Sequence, residues 1–455
     1  MTYLFILIRI YLVIYSTIEE EKRGEIVSLV EVSEAFKLPV DSGVKIRGWV
    51  AAKSEVGGII FITLRDGTGY IQAAGKRGII SEEVFQNLKS VTRESAVEAE
   101  GVIREDKRAP KGREVSIKRL NIIALADKWP ITKSAVRSPA FLYDHRHLSI
   151  RGVKSSAVIK IRWGIIRAAI EFFTQRGFWL ISSPTIVRSA CEGGATLFEL
   201  DYFGKKAYLS QSAQFYEEAA ICALGKVFVI QPAFRAEKSK TAKHLTEFWM
   251  IEAEKAFMDQ EENMKLQEDL ITYICRRVVE VNKSELEALG RKFTLPEPPF
   301  PRMTYDEVLR FASEHDLEFK WGEDIPTPVE TLISRSQSKP FFITDYPLSA
   351  RSFYHMTKPD NDKVTLSADL IAPEGHGEIA TGGQRIHDYQ TLLKRIESQD
   401  LPKEEFSWYL ELRRYGMPPH SGFGAGVERL TKWIAGLKHI RAASLFPRTL
   451  TRVNP

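Results

Sequence analysis

Cysteine is scarce in this chain of 455 residues: Cys191, Cys222 and Cys275 are the only three. The number is odd, the spacing wide, and neither a CxxC nor another metal-ligand grouping occurs. A disulfide framework is excluded, and a reducing cytoplasm is the expected compartment. Long apolar runs are also lacking. The one candidate, MTYLFILIRIYLVIY at residues 1–15, carries Arg9 in its middle, whereas a spanning helix needs about 20 apolar residues. It has neither the basic start nor the small-residue cleavage site of a signal peptide, so no membrane partner is expected. One-sided charge is absent too. Lys and Arg total 64 against 59 Asp and Glu, a net +5, which permits an anionic partner without demanding one. No repeat or low-complexity tract interrupts the chain. With 44% hydrophobic and 27% charged residues, disorder, collagen and coiled-coil rods drop out. The length calls for two to four domains at roughly 100–200 residues each.

What is present divides into four stretches. Residues 1–24 form the apolar extension. Residues 25–127 open with a short helical lead-in, EIVSLVEVSEAF, and turn β-rich. VKIRGWVAA, IIFITLRD and YIQAAGK alternate apolar and polar residues around GG and DGTG turns. SEEVFQNLKS has helical periodicity, and SAVEAEGVIRED and REVSIKRLNIIAL read as two more strands. Three strands, a helix and two strands are the ground plan of a five-stranded OB β-barrel, whose strand face stacks nucleic-acid bases. Residues 128–150 read as a linker rich in Pro, Ser and charge. From 151 to 455 helices and strands are segregated, with strands at 206–210, 227–236, 246–257, 341–346, 351–357 and 364–370. Helices are expected at 214–224, 261–282 and 304–314. The fold class is α+β on an antiparallel sheet flanked by helices.

Three places in the stretch 151–455 carry chemistry. Phe234-Arg235-Ala236-Glu237, a charged loop, and His244-Leu-Thr-Glu-Phe248 through Glu254 read as two strands joined by a polar loop. An arginine at a strand end offers a fork of donors that matches phosphate, and Phe248 offers a face to a flat base. Gly422-Phe-Gly424-Ala-Gly426-Val-Glu428-Arg429 places glycines at every second position before a helix. That lets backbone approach a ligand closely and aims Arg429 at it; no βαβ context makes it a dinucleotide fingerprint. Between them, after Asp369, comes APEGHGEIATGGQR with Glu374, Glu378, Thr381, Gln384 and Arg385. A carboxylate and a hydroxyl three residues apart suit Mg²⁺, which shares its coordination with phosphates and water.

In this order the segments resemble the three motifs of class II aminoacyl-tRNA synthetases. The helix-to-strand stretch 160–187 looks like motif 1, the dimer-interface element; FRAE…HLTEFWMIEAE looks like motif 2 and GFGAGVERL like motif 3. A barrel preceding the catalytic domain is the layout of the aspartate, asparagine and lysine subgroup. CEGGATLFELDYFGKKAYLSQSAQFYEEAAI, DLIAPEGHGEIATGGQR and WYLELRRYGMPPHSGFGAGVERL are most similar to its archaeal-type asparaginyl branch. Aspartyl enzymes carry a lysine in QSPQxxK, where it pairs with the substrate carboxylate. Here Gln211 to Glu218 ends in two carboxylates, Glu217 and Glu218, which accept from an amide NH₂ and repel aspartate.

The resemblance implies ATP-dependent activation of asparagine to an adenylate, with Mg²⁺, and transfer to tRNA(Asn) in a cytoplasmic homodimer. It implies that Arg235 and Arg429 act in catalysis, Arg235 on the α-phosphate and the attacking carboxylate. Glu237 and Phe248 would place adenine, His244 and Arg429 the β- and γ-phosphates, and Glu378 with Thr381 the Mg²⁺. Glu192 would meet the substrate α-ammonium and Gln214 line the same pocket, while Arg385 and Glu218 read the side-chain amide. In the barrel, Phe61 would stack on the central anticodon base, Gln72 read its edge, and Lys53 add a cation. Lys243 stands where a second arginine is usual, Gln231 replaces a common glycine and Ala425 is smaller than usual. Three alternatives stay open: an aspartyl enzyme of relaxed tRNA choice, a tRNA-independent asparagine synthetase, and a non-catalytic RNA-binding relative.

Overall fold

The structure is a computed structural model that describes residues 27–132, 134–188, 197–238 and 243–455. The apolar extension therefore lies outside the described residues. The chain forms two compact units that divide between Pro139 and Ala140, inside the stretch read as linker.

In the first unit the alternating segments become β1 (Gly43–Val56), β2 (Ile59–Arg65), β3 (Tyr70–Lys76), β4 (Ala96–Glu105) and β5 (Arg113–Ala124). Antiparallel pairings join β1 to β2, β2 to β3, β5 to β4 and β4 back to β1, and β3 runs parallel to β5. The pairings close a ring of five strands, so no strand keeps a bare edge. Helix α1 (Glu82–Ser90) is capped by Ser81 and contributes Val84, Phe85 and Leu88 to the core, where they pack with Ile46, Ile62, Leu64 and Val97. The expected helical lead-in shrinks to a single turn, Val32–Ala35, preceded by the two-residue strand Ser28–Leu29.

The second unit is built on an eight-stranded sheet flanked by helices. Its elements in chain order are α2 (Val153–Gln175), β6 (Trp179–Leu180), α3 (Gln214–Leu224), β7 (Lys226–Phe234), β8 (Glu247–Ala256) and α4 (Gln260–Val281). There follow β9 (Arg302–Thr304), α5 (Thr327–Ser336), β10 (Phe341–Thr344), β11 (Ser367–Ala372) and β12 (Gly377–Gln384). The chain closes with α6 (Ser407–Leu412), β13 (His420–Gly426) and α7 (Val427–Ile434). The strand order is β9-β10-β11-β12-β13-β8-β7-β6. The six central strands are antiparallel, and only the outermost pairs, β9–β10 and β7–β6, are parallel.

One face of this sheet is apolar. Phe228, Ile251, Ala253, Phe423 and Ala425 pack against Ile161, Phe172 and Phe173 of α2, Ile271 and Ile274 of α4, and Leu430 and Trp433 of α7. Phe173 and Phe228 stack with centroids 4.7 Å apart. Cys275 lies in the same core as a free thiol. Strand alternation sends the residues between them to the opposite face, and these build the cavity. Among the described residues, no helix is long and apolar enough to cross a membrane.

One reading of the second unit needs correction, and one of its strands was not expected. Residues 351–357, expected as a strand, form turns and a bridge ahead of a two-stranded ribbon. The glycine-rich, acidic stretch after Asp369 folds into the central strand β12. Its glycines give neither bulk nor clear alternation, which hid the strand, yet they let β13 lie close alongside it.

Candidate active site

The polar face of the sheet opens into a cavity of ≈ 310 Å³. Along β8 the alternating side chains Phe248, Met250, Glu252 and Glu254 all face it. On β13 the register places Gly424 opposite Glu252 and Gly422 opposite Glu254. A Cβ at Gly422 would lie 2.0 Å from the Glu254 carboxyl carbon, and one at Gly424 would lie 2.8 Å from Met250 Cε. The glycines thus make room for Glu254, Met250 and Glu252 of the neighbouring strand, whereas their spacing suggests close approach to a ligand.

At one end of the cavity lie Arg235, Glu237, Lys243, His244, Phe248, Glu378, Thr381 and Arg429. The Arg235 guanidinium lies 5.5 Å from the Phe248 ring centroid, and His244 Nε2 stands 4.0 Å from Glu237. Burial, followed by the Arg429 charge, lowers the His244 pKa. Arg429 Nη1 meets Glu378 Oε1 at 2.9 Å and donates to the Glu378 carbonyl at 3.1 Å. Lys243 Nζ pairs with Glu330 Oε1 at 2.8 Å, and the same oxygen accepts from the Glu378 amide at 2.9 Å. Glu330, on α5, thereby ties the polar loop to the start of β12; nothing in the local sequence around it signalled that role.

The predicted cation site gains a member. Glu378 and Thr381 both line the cavity, and Asp369 on β11 stands opposite Thr381 in register. Burial raises the Glu378 carboxyl above its ordinary range; Arg429 opposes this, and Asp369 and Glu330 add to it. Asp369 Oδ2 pairs with Arg351 Nη2 at 2.7 Å, while Oδ1 is buried without a hydrogen bond. A buried carboxyl that resists ionisation, beside a second carboxylate with an orphaned oxygen, fits a divalent cation that needs few protein oxygens. Among the described residues no three or more His, Cys, Asp or Glu side chains form a protein-only metal cage. Asp369 escaped the list of site residues because β12, which sets its register, was not among the expected strands. Arg351 came from a stretch assigned to the wrong structure.

The other end is lined by Gln214, Glu217, Glu252, Glu254, Tyr354, His355 and Arg385. Arg385 is 3% exposed and donates from Nε and Nη2 to Glu254 Oε1 at 2.9 and 2.5 Å. Glu252 accepts from Ser212 Oγ and the Ala213 amide at 2.5 and 2.8 Å. Glu217 is fully buried, and neither carboxyl oxygen has a hydrogen bond. Burial, then the charges of Glu252 and Glu254, push its pKa well up.

Glu218 differs from its expected place. It does not line the cavity but faces away from it, accepting from Gln214, Tyr409, Arg413 and His420. Adjacent helix positions point about 100° apart, and Glu217, not Glu218, turns inward. Glu192 lies outside the described residues.

On the first unit, Phe61 and Thr63 share the half-exposed face of β2 while Ile62 and Leu64 are buried. Thr63 pairs with Gln72, whose Nε2 donates to Glu114 at 2.7 Å. Phe61 and Gln72 therefore stand on one surface. Lys53 does not join them. It pairs with Ile62, on the inward side, and its Nζ donates to the carbonyls of Lys89 and Val91 at 2.7 Å. A bulge between Val50 and Ala52 sets this parity, and Lys53 serves as the C-terminal cap of α1.

The family model for class II tRNA synthetases (D, K and N) matches residues 138–450, and that for an OB-fold nucleic acid binding domain matches residues 44–123. The chain belongs to the class II tRNA synthetases of the D, K and N group. Within that group it is similar to asparagine–tRNA ligases. That of Pelotomaculum thermopropionicum is 47% identical over 415 residues, covering 90% of this chain and 96% of the other. That of Pyrococcus furiosus is 45% identical over 416 residues, covering 90% and 96%. The solved asparaginyl-tRNA synthetase of Pyrococcus horikoshii, complexed with asparaginyl-adenylate, matches with a TM-score of 0.90 at 43% identity, covering 94% of this chain and all of that one.

Proposed function

We propose that this chain is an asparagine–tRNA ligase, which activates asparagine with ATP and passes it to the 3′ end of tRNA(Asn). The observation that carries the reading is the pairing, at one end of the cavity, of a buried donor with a buried unpartnered acceptor. Arg385 suits the carbonyl oxygen of a side-chain amide, and Glu217 suits its NH₂. Aspartate would bring a second carboxylate beside Glu217, Glu252 and Glu254, with no proton to give. The names of the relatives agree with this choice.

In the first step an oxygen of the substrate α-carboxylate attacks the α-phosphorus of ATP, and pyrophosphate leaves. In the second a terminal ribose hydroxyl of the tRNA attacks the acyl carbon, and AMP leaves. The work asked of the protein is alignment and charge stabilisation. Arg235 holds the α-phosphate in line with the attacking oxygen, Phe248 stacks on adenine and Glu237 meets its edge. His244, Arg429 and Lys243 face the departing phosphates. Lys243 is a point charge rather than a fork, so it supplies attraction with little directional control. Glu378 and Thr381, joined by Asp369, would hold Mg²⁺, which would neutralise charge on the phosphates. Gln214, which lines the cavity, faces the α-ammonium, and by the sequence resemblance Glu192 would be its charged partner.

In the N-terminal unit Phe61 and Gln72 form the surface for the central anticodon base. A dimer through α2 is part of the reading: Trp163 of α2 and Trp179 of β6 are both more than half exposed. The reaction is placed in the cytoplasm.

Charging of tRNA(Asn) transcripts with labelled asparagine tests the proposal. Charging is expected, and changing the central anticodon base should depress it. Transfer of aspartate in preference to asparagine would overturn the reading.

A further inference from the structure

Glu218 is completely buried and has no contact with the cavity, yet it gathers four donors. Gln214 Nε2 meets Oε1 at 3.0 Å, and the Tyr409 hydroxyl lies 2.8 Å from both oxygens. Arg413 Nη2 donates to Oε2, and His420 Nε2 lies 3.0 Å from it. The donors are themselves fixed. Arg413 donates to the Ile386 carbonyl at 3.0 Å, to the Tyr409 carbonyl at 3.2 Å and to the Tyr409 hydroxyl at 2.9 Å, so the phenolic proton is directed to Glu218. Burial alone would raise the Glu218 pKa, but Arg413 and then His420 hold it below the ordinary range.

An ionised carboxylate only accepts. A primary amide can face either way, and the partner it meets decides which. Gln214 and Glu218 are one helical turn apart on α3, so Gln214 must turn its NH₂ to Glu218 and its carbonyl oxygen the other way. Gln214 lines the cavity.

We infer that Glu218 is a positioning residue that locks the Gln214 amide with its oxygen towards the substrate, so that an acceptor meets the amino acid's ammonium group. A reversed amide would point an N–H at that cation. The inference rests on the reading of this cavity end as the asparagine site, and it gives a charge buried outside the cavity a function within it.

The test is ATP–pyrophosphate exchange, with Tm followed in parallel. In Glu218→Gln the amide at 214 is free to turn, and KM for asparagine should rise tenfold or more while KM for ATP stays within twofold. In the swap Gln214→Glu with Glu218→Gln, residue 218 supplies the N–H and residue 214 keeps an acceptor towards the cavity. KM for asparagine should then return to within about threefold of the parent value. Should variants at 218 fail to fold, Gln214→Glu alone asks the same question. Two facing carboxylates should raise KM for asparagine tenfold, and lowering the pH should relieve the defect by placing a proton between them. Equal losses for asparagine and ATP, or a swap no better than the single variant, would overturn the inference. So would an unaltered KM in Gln214→Glu. Absence of asparagine-driven exchange in the parent protein would instead sink the functional reading.

Discussion

A carboxyl group buried without a hydrogen bond costs about 1–3 kcal/mol, and Glu217 bears that cost until a substrate arrives. Its folded-state pKa lies above that of the unfolded chain because burial and the neighbouring Glu252 and Glu254 disfavour its charge. Between the two values the native state holds one more proton than the unfolded chain. The associated stability is complete below the ordinary glutamate value of 4.5 and is lost as pH rises through the raised value. Replacing Glu217 with Gln removes the titration. The variant should melt at a higher temperature above neutral pH, and its Tm should fall less steeply with pH, in differential scanning calorimetry. Its kcat/KM for asparagine should drop at least tenfold, since a neutral amide oxygen is a weaker acceptor for the substrate NH₂ than a carboxylate. Stability gained with activity lost marks a functional residue. Arg235, His244, Phe248 and Arg429 were legible because each sits in a short contiguous motif on a strand end or helix start. Which of Glu217 and Glu218 enters the cavity was not, because Tyr409, Arg413 and His420, remote in sequence, decide it.

At the scale of elements, the five-stranded ring could be read almost strand by strand, because alternation and turn glycines are local signals. The parity of one strand could not, because the bulge after Val50 leaves no compositional mark, and that parity takes Lys53 away from Phe61. The two residues should therefore separate experimentally. Lys53→Met should cost about 1 kcal/mol of stability through loss of the α1 cap, read as a lower midpoint in urea, with KM for tRNA unchanged. Phe61→Ala should raise KM for tRNA tenfold or more, as expected for about 1–3 kcal/mol of stacking, and leave amino-acid activation intact. In the second unit β12 was missed because glycines replace the apolar residues that announce a strand, though β12 and β13 need them to lie close. Glu428 then links elements across the sheet: it accepts from Arg162 of α2 at 3.0 Å and from the Trp249 amide of β8 at 2.9 Å. Helix α2 and the strand that carries Phe248 are thus joined through one carboxylate.

For the molecule as a whole, the division of labour predicts which losses are local and which are total. Substitutions on the ring of five strands should spare activation, whereas removal of a divalent cation should abolish it. Chelation with EDTA should stop ATP–pyrophosphate exchange and Mg²⁺ should restore it. Glu378→Gln should remain nearly inactive at any Mg²⁺ concentration. The proposed cation site and the proposed amide pocket line one cavity, so both are read by a single reaction. That reaction, ATP–pyrophosphate exchange with Mg²⁺ and without tRNA, comparing asparagine with aspartate, tests the account most directly. The account predicts exchange driven by asparagine, with kcat/KM at least a hundredfold above that for aspartate. Exchange driven by aspartate with equal or greater efficiency would contradict it.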